Sequence, residues 1–403
     1  MLLVARRLFD GTNPSLLMEP VIDVRDGVVV GITNAGRVPD SATEVVDLGD
    51  VTVLPGLIDV HQHLAFDASA DPVKALQSDS DEMLLLRMRL AAQRALSAGI
   101  TTIRDLGDRN YLSVTLRDWF RLGHEAGPDI LAAGPPVTTP GGHCWFMGGE
   151  AGGVDGVRTA VRDHAARGVD VIKVMATGGD LSAGSAPQDC QYGAEELTAL
   201  VQEAHGLGLP VAAHAHGTAG IAASMHAGVD TIEHCTFWTA EGVDRPTELI
   251  AELGRRRAFV SATGGFLPGM RPGSPAVEAR SSAIIANLAA LHLAGARLLL
   301  GTDAGIAASK PHNVLPYAVV SLAAALGPLE ALRTVTATAA EACGVADRKG
   351  TVALGKDADL LVVSGNPLED VTCLHSVVAV FARGRRAPTS SGKVPTSAGS
   401  SGG

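Results

Sequence analysis

The sequence predicts an α/β protein: a (β/α)8 TIM barrel carrying a small β-sandwich domain built from both termini. Three observations predict it. Eight short apolar segments alternate with helical patterns across roughly 290 central residues, the count and size of that barrel. Strand-like segments rich in β-branched residues flank this middle on both sides. No G-x-G-x-x-G follows any of the eight segments, which weakens a doubly wound open sheet as the alternative.

In chain order, Val21–Val24 and Gly27–Val30 read as short strands, as do Thr351–Ala353, Asp359–Val363 and Val377–Phe381 near the other end. These give a composite sandwich over 1–55 and 348–387 around a barrel over 56–347. The barrel strands are expected at Leu57–His63, Thr101–Leu106, Ile130–Ala133, Val169–Met175, Val211–His216, Thr231–Cys235, Phe259–Ala262 and Arg297–Thr302. Helices are expected at Glu82–Leu96, Gly156–Ala166, Ala194–His205, Ala219–His226 and Ser281–Leu293. Residues 388–403 are Ser/Gly/Pro-rich and read as a disordered tail.

Composition narrows the function classes. The chain has 403 residues, 46% hydrophobic, with a net charge of −11, which suits a large packed core and argues against a nucleic-acid or anionic-membrane partner. The N-terminus places Arg6 and Arg7 where a signal peptide needs an apolar run, and the apolar stretch from Val314 to Leu329 is interrupted by Pro316, Gly327 and Pro328. Five cysteines without C-x-x-C spacing suggest free thiols in a cytoplasmic protein. Only six lysines occur, at 74, 173, 310, 349, 356 and 393. A lysine inside an apolar strand therefore needs a reason.

The strand ends carry the chemistry. His61 and His63 end the first strand two residues apart, so both imidazoles point the same way. Lys173 sits in the fourth, His214 and His216 end the fifth, Glu233 and His234 the sixth, and Asp303 the eighth. In this fold the C-terminal strand ends converge on one mouth. Nitrogen and oxygen donors gathered there suit a divalent ion. An ammonium would be repelled by such ions, whereas a Lys173 carboxylated by CO2 would be an anionic bridge between two of them.

The stretches Leu54-Pro-Gly-Leu-Ile-Asp-Val-His-Gln-His63, Lys173, His214, Ile232-Glu-His234 and Gly301-Thr-Asp303 resemble the amidohydrolase superfamily, over nearly the whole chain to about residue 386. Within it, Thr139-Pro-Gly-Gly-His143, Val171-Ile-Lys-Val-Met-Ala-Thr-Gly-Gly179 and His214-Ala-His-Gly217 resemble the imidazolonepropionase-like branch, on its prolidase and dipeptidase side.

The resemblance implies two divalent metals, zinc first, with Mn, Co or Fe also compatible. One would be held by His61, His63, Asp303 and carboxylated Lys173, the other by Lys173, His214 and His234. It implies that a metal-bridging hydroxide attacks an amide carbonyl while Asp303 relays the proton to the leaving nitrogen. Asp303, His143 and His234 form the implied catalytic set.

His143, Tyr192, Trp238 and His312 are the candidate substrate contacts, with Phe237, Trp145 and Phe146 as further pocket candidates. His216 reads as pocket wall or support for the ligands. The implied substrate is a small molecule, a dipeptide such as Xaa-Pro or an N-acyl amino acid. Its free carboxylate would be met by Arg104, Arg109 or Arg271. The same site would also serve cyclic amide, lactone or organophosphate hydrolysis. A non-catalytic binding protein is the remote alternative. Barrels of this kind often associate, so a homo-oligomer is compatible.

Overall fold

The computed structural model describes residues 1–34, 44–270 and 275–388. The tail reading, apart from Pro388, and Arg271 lie outside the described residues.

The fold is α/β. Segments Leu57–Gln62, Ile100–Asp105 and Asp129–Ala132 form one parallel sheet. A second parallel sheet contains, in spatial and chain order, Ile172–Met175, Val211–Gly217, Thr231–Trp238, Phe259–Thr263 and Arg297–Gly301. Parallel bridges Val137–Val174 and Gln62–Ala304 link the two sheets at both margins. Every residue of Leu57–Gln62, Ile100–Asp105 and Ile172–Met175 is buried, as expected of parallel strands covered on both faces.

Helices separate these strands because their sequences put apolar residues on one stripe. In Asp81–Ser97 the buried residues are Leu84, Met88, Ala92, Ala95 and Leu96, spaced three and four apart. Ser80 caps that helix by accepting from the Met83 N–H, with Asp81 and Glu82 in its first turn and Arg94 in its last. The fourth, fifth and sixth strands are followed by Ala194–Gly206, Thr218–Ala227 and Thr247–Arg255. The last two are followed by Pro275–Ala294 and Leu315–Leu326.

Both termini build two further sheets. Strands Val28–Thr33, Val21–Arg25, Leu2–Val4 and Val45–Asp47 make one. In the other, Val51–Pro55 pairs parallel with Arg7–Leu8 and antiparallel with Leu360–Ser364, which pairs with Val377–Ala382. Leu3, Ile22, Val29, Val53, Leu360 and Phe381 share one apolar core between these sheets. Lys349 joins this part to the parallel strands: its buried ammonium lies 2.9 Å from both Asp129 and Asp357 and also contacts Asp359.

One expected strand does not form. Thr351–Ala353 follows Gly350, whose φ is +82°, and Val352 N–H donates to Asp10 O rather than to a ladder. All five cysteines are free. No helix among the described residues is long and apolar enough to cross a membrane.

Candidate metal centre

Six imidazoles, one lysine and one carboxylate gather at the C-terminal ends of the parallel strands. His61 and His63 present their Nε2 atoms to each other at 3.3 Å. Asp303 Oδ1 lies 3.2 Å from His63 Nε2 and 3.6 Å from His61 Nε2. Lys173 Nζ is 3.4 Å from His61 Nε2. His214 and His234 rings stand 4.6 Å apart, and His216 stacks on His234 at 4.4 Å.

The backbone is bent to make this arrangement. His234 has φ +68° and Asp303 φ +57°, a left-handed conformation that non-glycine residues rarely adopt and that recurs at functional sites. Cys235 and Phe237 are also left-handed. The strand end carrying His234 therefore turns its side chains by local strain, held in place by burial.

Hydrogen bonds to the outer nitrogens orient the rings. His61 Nδ1 donates to Glu233 Oε2 at 2.9 Å, and Arg104 Nη2 donates to Glu233 Oε1 at 2.8 Å. His63 Nδ1 faces Gly107 O at 3.3 Å, and His214 Nε2 donates to Gly178 O at 2.9 Å. His234 Nδ1 contacts Thr263 Oγ1 at 2.8 Å, and His216 Nδ1 contacts Thr236 Oγ1 at 2.9 Å. Lys310 Nζ donates to Thr302 O at 2.7 Å and Thr263 O at 3.1 Å, tying the strand ends that carry Asp303 and the His234 partner.

Burial favours the neutral form of five of these rings, His61, His143, His214, His216 and His234. Burial, helped by Lys173, pulls His61 down to about 4. Burial also pulls His216 to about 4 and, with His216 nearby, His143 to about 3. His214 and His234 fall well below the ordinary value through burial and then through the neighbouring His216. Burial opposes the Asp303 charge, but the His63 hydrogen bond and neighbouring imidazoles hold its carboxyl well below the usual range.

These facts test whether a cation fits. Since His61 gives its Nδ1 proton to the charged Glu233 carboxylate, its Nε2 atom carries a lone pair. The His61 lone pair, His63 Nε2 and the Asp303 carboxylate converge at 3.2–3.6 Å, a nitrogen and oxygen set that suits a shared cation. His61, His63 and Asp303 thus form one potential ligand group, and His214, His216 and His234 a second, each within 4.8 Å. The donor set fits divalent metal ions.

His143 lines the same cavity as His63, Lys173, His214, His234 and Asp303, and its Nδ1 has no partner among the described residues. A Cβ at Gly179 would fall 2.5 Å from His143 Nε2, so only glycine leaves room for this ring.

Residues 52–387 match the profile described as the amidohydrolase family. The chain belongs to the amidohydrolase family. An ochratoxinase from Aspergillus niger is 30% identical over 366 residues, covering 81% of this chain and 73% of its own length. An imidazolonepropionase from Acidiphilium cryptum (strain JF-5) is 25% identical, covering 86% of this chain and 87% of its own. A solved Xaa-Pro dipeptidase with bound methionine superposes with TM-score 0.83 at 29% identity, covering 96% of this amidohydrolase and 98% of that chain. The family places the chain among hydrolases of carbon–nitrogen bonds, in the imidazolonepropionase-like branch.

Several expected contacts in the amidohydrolase lie elsewhere. Tyr192 does not line the cavity: it is buried in the core and its hydroxyl donates to Ala151 O at 2.7 Å. His312 also does not line it, and its Nε2 instead donates to His63 O at 3.2 Å. Phe237 is fully buried among core residues, and Trp145 and Phe146 are not cavity-lining. Trp238 does line the cavity.

Arg104 is committed to Glu233, Thr231 and Val60 O, and Arg109 to Asp81, Leu76 O and Asp79 O, so neither guanidinium is free for a substrate carboxylate. Glu233, Thr263 and Lys310 hold the strand ends through long-range hydrogen bonds that no local sequence pattern signals. His216, expected as pocket wall or support for the ligands, falls with His214 and His234 in the second potential ligand group, and its i, i+2 spacing from His214 repeats that of His61 and His63.

Proposed function

We propose that this amidohydrolase cleaves an amide, peptide-like bond with two divalent metal ions, acting on a dipeptide such as Xaa-Pro or an N-acyl amino acid. The carrying observation is the pair of ligand groups, His61/His63/Asp303 and His214/His216/His234, with the buried Lys173 Nζ 3.4 Å from His61 Nε2. A protein kept only for binding would have no need of this complete donor set.

The scaffold we infer is a closed (β/α)8 barrel over 56–347, with a composite β-sandwich over 1–55 and 348–387. The consecutive strand order and the two linking bridges support closure, and the core shared by the two terminal sheets supports the sandwich. In such a barrel, strand ends supply catalytic groups.

His61, His63, Asp303 and carboxylated Lys173 would hold one ion. Lys173, His214 and His234 would hold the other, with His216 as a further donor. Zinc suits imidazole and carboxylate best. Such ions, when bound, activate water and polarise a carbonyl.

The remaining roles belong to the chain. Burial lowers the Lys173 amine to about 8, which leaves part of it unprotonated near neutral pH. Its lone pair adds to the carbon of CO2 and one proton leaves to solvent, giving the carbamate. The low Asp303 pKa keeps Oδ1 ready to take a proton from the attacking water and pass it to the leaving nitrogen. Neutral His143 is placed to donate to the amide oxygen as negative charge develops there. Glu233 fixes the His61 ring, and Thr263 the His234 ring.

The test is turnover of a library of dipeptides, Xaa-Pro included, and N-acyl amino acids by protein reconstituted with Zn or Mn. Amide cleavage that disappears with a chelator and returns with metal is expected. Metal uptake without cleavage of any amide overturns the proposal.

A further inference from the structure

The cavity over the candidate centre has a volume of about 1510 Å3, larger than the ~300–1,000 Å3 that ordinarily encloses a small ligand. Its lining divides chemically. One part is the His, Lys and Asp cluster. The other is apolar and is built from two helices: Ile284, Ile285 and Leu288 of Pro275–Ala294 face Ala318, Leu322 and Leu326 of Leu315–Leu326.

This apolar arm is not closed off by packing. Ile285 is 56% exposed and Met270, also in the lining, is 43% exposed. In the 20-residue helix Pro275–Ala294 only Asn287 and Leu291 are buried, although the helix is rich in Ala, Ile and Leu. A helix that apolar ordinarily buries a wider face. Contiguous exposed apolar surface opening into a reactive centre marks a ligand groove.

Among the described residues, the cations lining the cavity are Lys173 and Lys310, both at its polar end. Lys310 Nζ is already bonded to two backbone carbonyls. Along the two helices the described lining is mostly hydrocarbon, with Ser281, Ser321 and the carboxylate of Glu278 and no cation to meet an anionic group.

We propose that the arm between helices Pro275–Ala294 and Leu315–Leu326 takes a large uncharged apolar group, a medium-chain acyl or aryl group, on one side of the scissile amide. This rests on the amide-hydrolysis reading above and narrows it. A short dipeptide such as Gly-Pro leaves the arm unused. Each methylene moved from water into such a site contributes roughly a fourfold gain in binding or in kcat/KM.

The test compares N-acetyl-, N-hexanoyl- and N-decanoyl-L-phenylalanine with Gly-Pro and Met-Pro on the metal-reconstituted full chain. Calorimetric binding of neutral hexanamide and decanamide is measured alongside. We expect kcat/KM to rise at least tenfold from acetyl to hexanoyl and again toward decanoyl, and decanamide to bind at least tenfold tighter than hexanamide. Leu322→Asp should collapse the decanoyl-to-acetyl ratio.

Rates and affinities that are flat or fall with chain length overturn the arm assignment, even if dipeptides are hydrolysed. Length-dependent amide binding without turnover of any substrate leaves the arm standing and overturns amide hydrolysis. Neither binding nor turnover overturns both.

Discussion

His61 Nδ1 and Glu233 Oε2 lie 2.9 Å apart, both side chains fully buried, and Arg104 holds the other Glu233 oxygen. Burial opposes the Glu233 charge, but Arg104 and the His61 hydrogen bond keep its carboxyl far below the ordinary range. A permanently charged carboxylate behind His61 locks the Nδ1–H tautomer and aims Nε2 at the site. Glu233→Gln should therefore weaken metal retention by about 10–100-fold. Metal content after graded chelation checks this, and retention equal to wild type counts against the role.

Lys173→Ala should abolish amide hydrolysis and lower metal content toward one ion per chain or less. Acetate or propionate should restore part of both, by supplying the missing carboxylate. Metal analysis of the untreated protein should give close to two divalent ions per chain. A firm value of one, or indifference to the substitution, removes the bridging lysine.

Asp303→Asn keeps the size of the side chain and an oxygen donor but loses the proton acceptor. We expect kcat to fall by about 10²–10⁴-fold while much of the metal is retained. A near-normal kcat would assign the proton transfer elsewhere.

Gly179→Ala places a methyl where His143 Nε2 stands, 2.5 Å from the new carbon. The ring must move, so kcat should fall with little change in metal content. Equal losses in both would mean that the loop, rather than His143, is disturbed.

Lys349→Met removes the ammonium shared by Asp129, Asp357 and Asp359 and should cost about 3–5 kcal/mol, read by denaturant unfolding. Burial opposes the Asp129 charge, but Lys349 and Arg383 hold its carboxyl below 3.8. A lowered acid contributes stability above its unfolded value, and that contribution is lost as pH falls through the folded value. Wild type should thus lose stability below about pH 3.8 through this group, and the variant should lose less there.

Much of the fold was legible because its signals are local. Leu84, Met88, Ala92 and Ala95 repeat at helical spacing, and parallel strands covered on both faces read as apolar runs. Thr351–Ala353 misled for the same reason: a β-branched residue packs well in a loop that borrows one hydrogen bond from Asp10. The ligand types at strand ends were legible too, since i, i+2 spacing is a property of the strand itself. Of the ring contacts, Trp238 reaches the cavity but Tyr192 and His312 do not. Tyr192 and His312 have the right chemistry for a pocket, but Ala151 O and His63 O claim them.

By itself, the sequence determined the α/β alternation, the termini that pair with each other, and the gathering of His, Lys and Asp at strand ends. Tertiary structure alone decided that Glu233, 172 positions from His61, sets its ring. It also grouped His216 with His214 and His234 and opened an apolar arm between two helices. The reason is physical. Periodicity and propensity act over a few residues, whereas a hydrogen-bond partner or a cavity wall depends on which distant surfaces the packed sheets bring together.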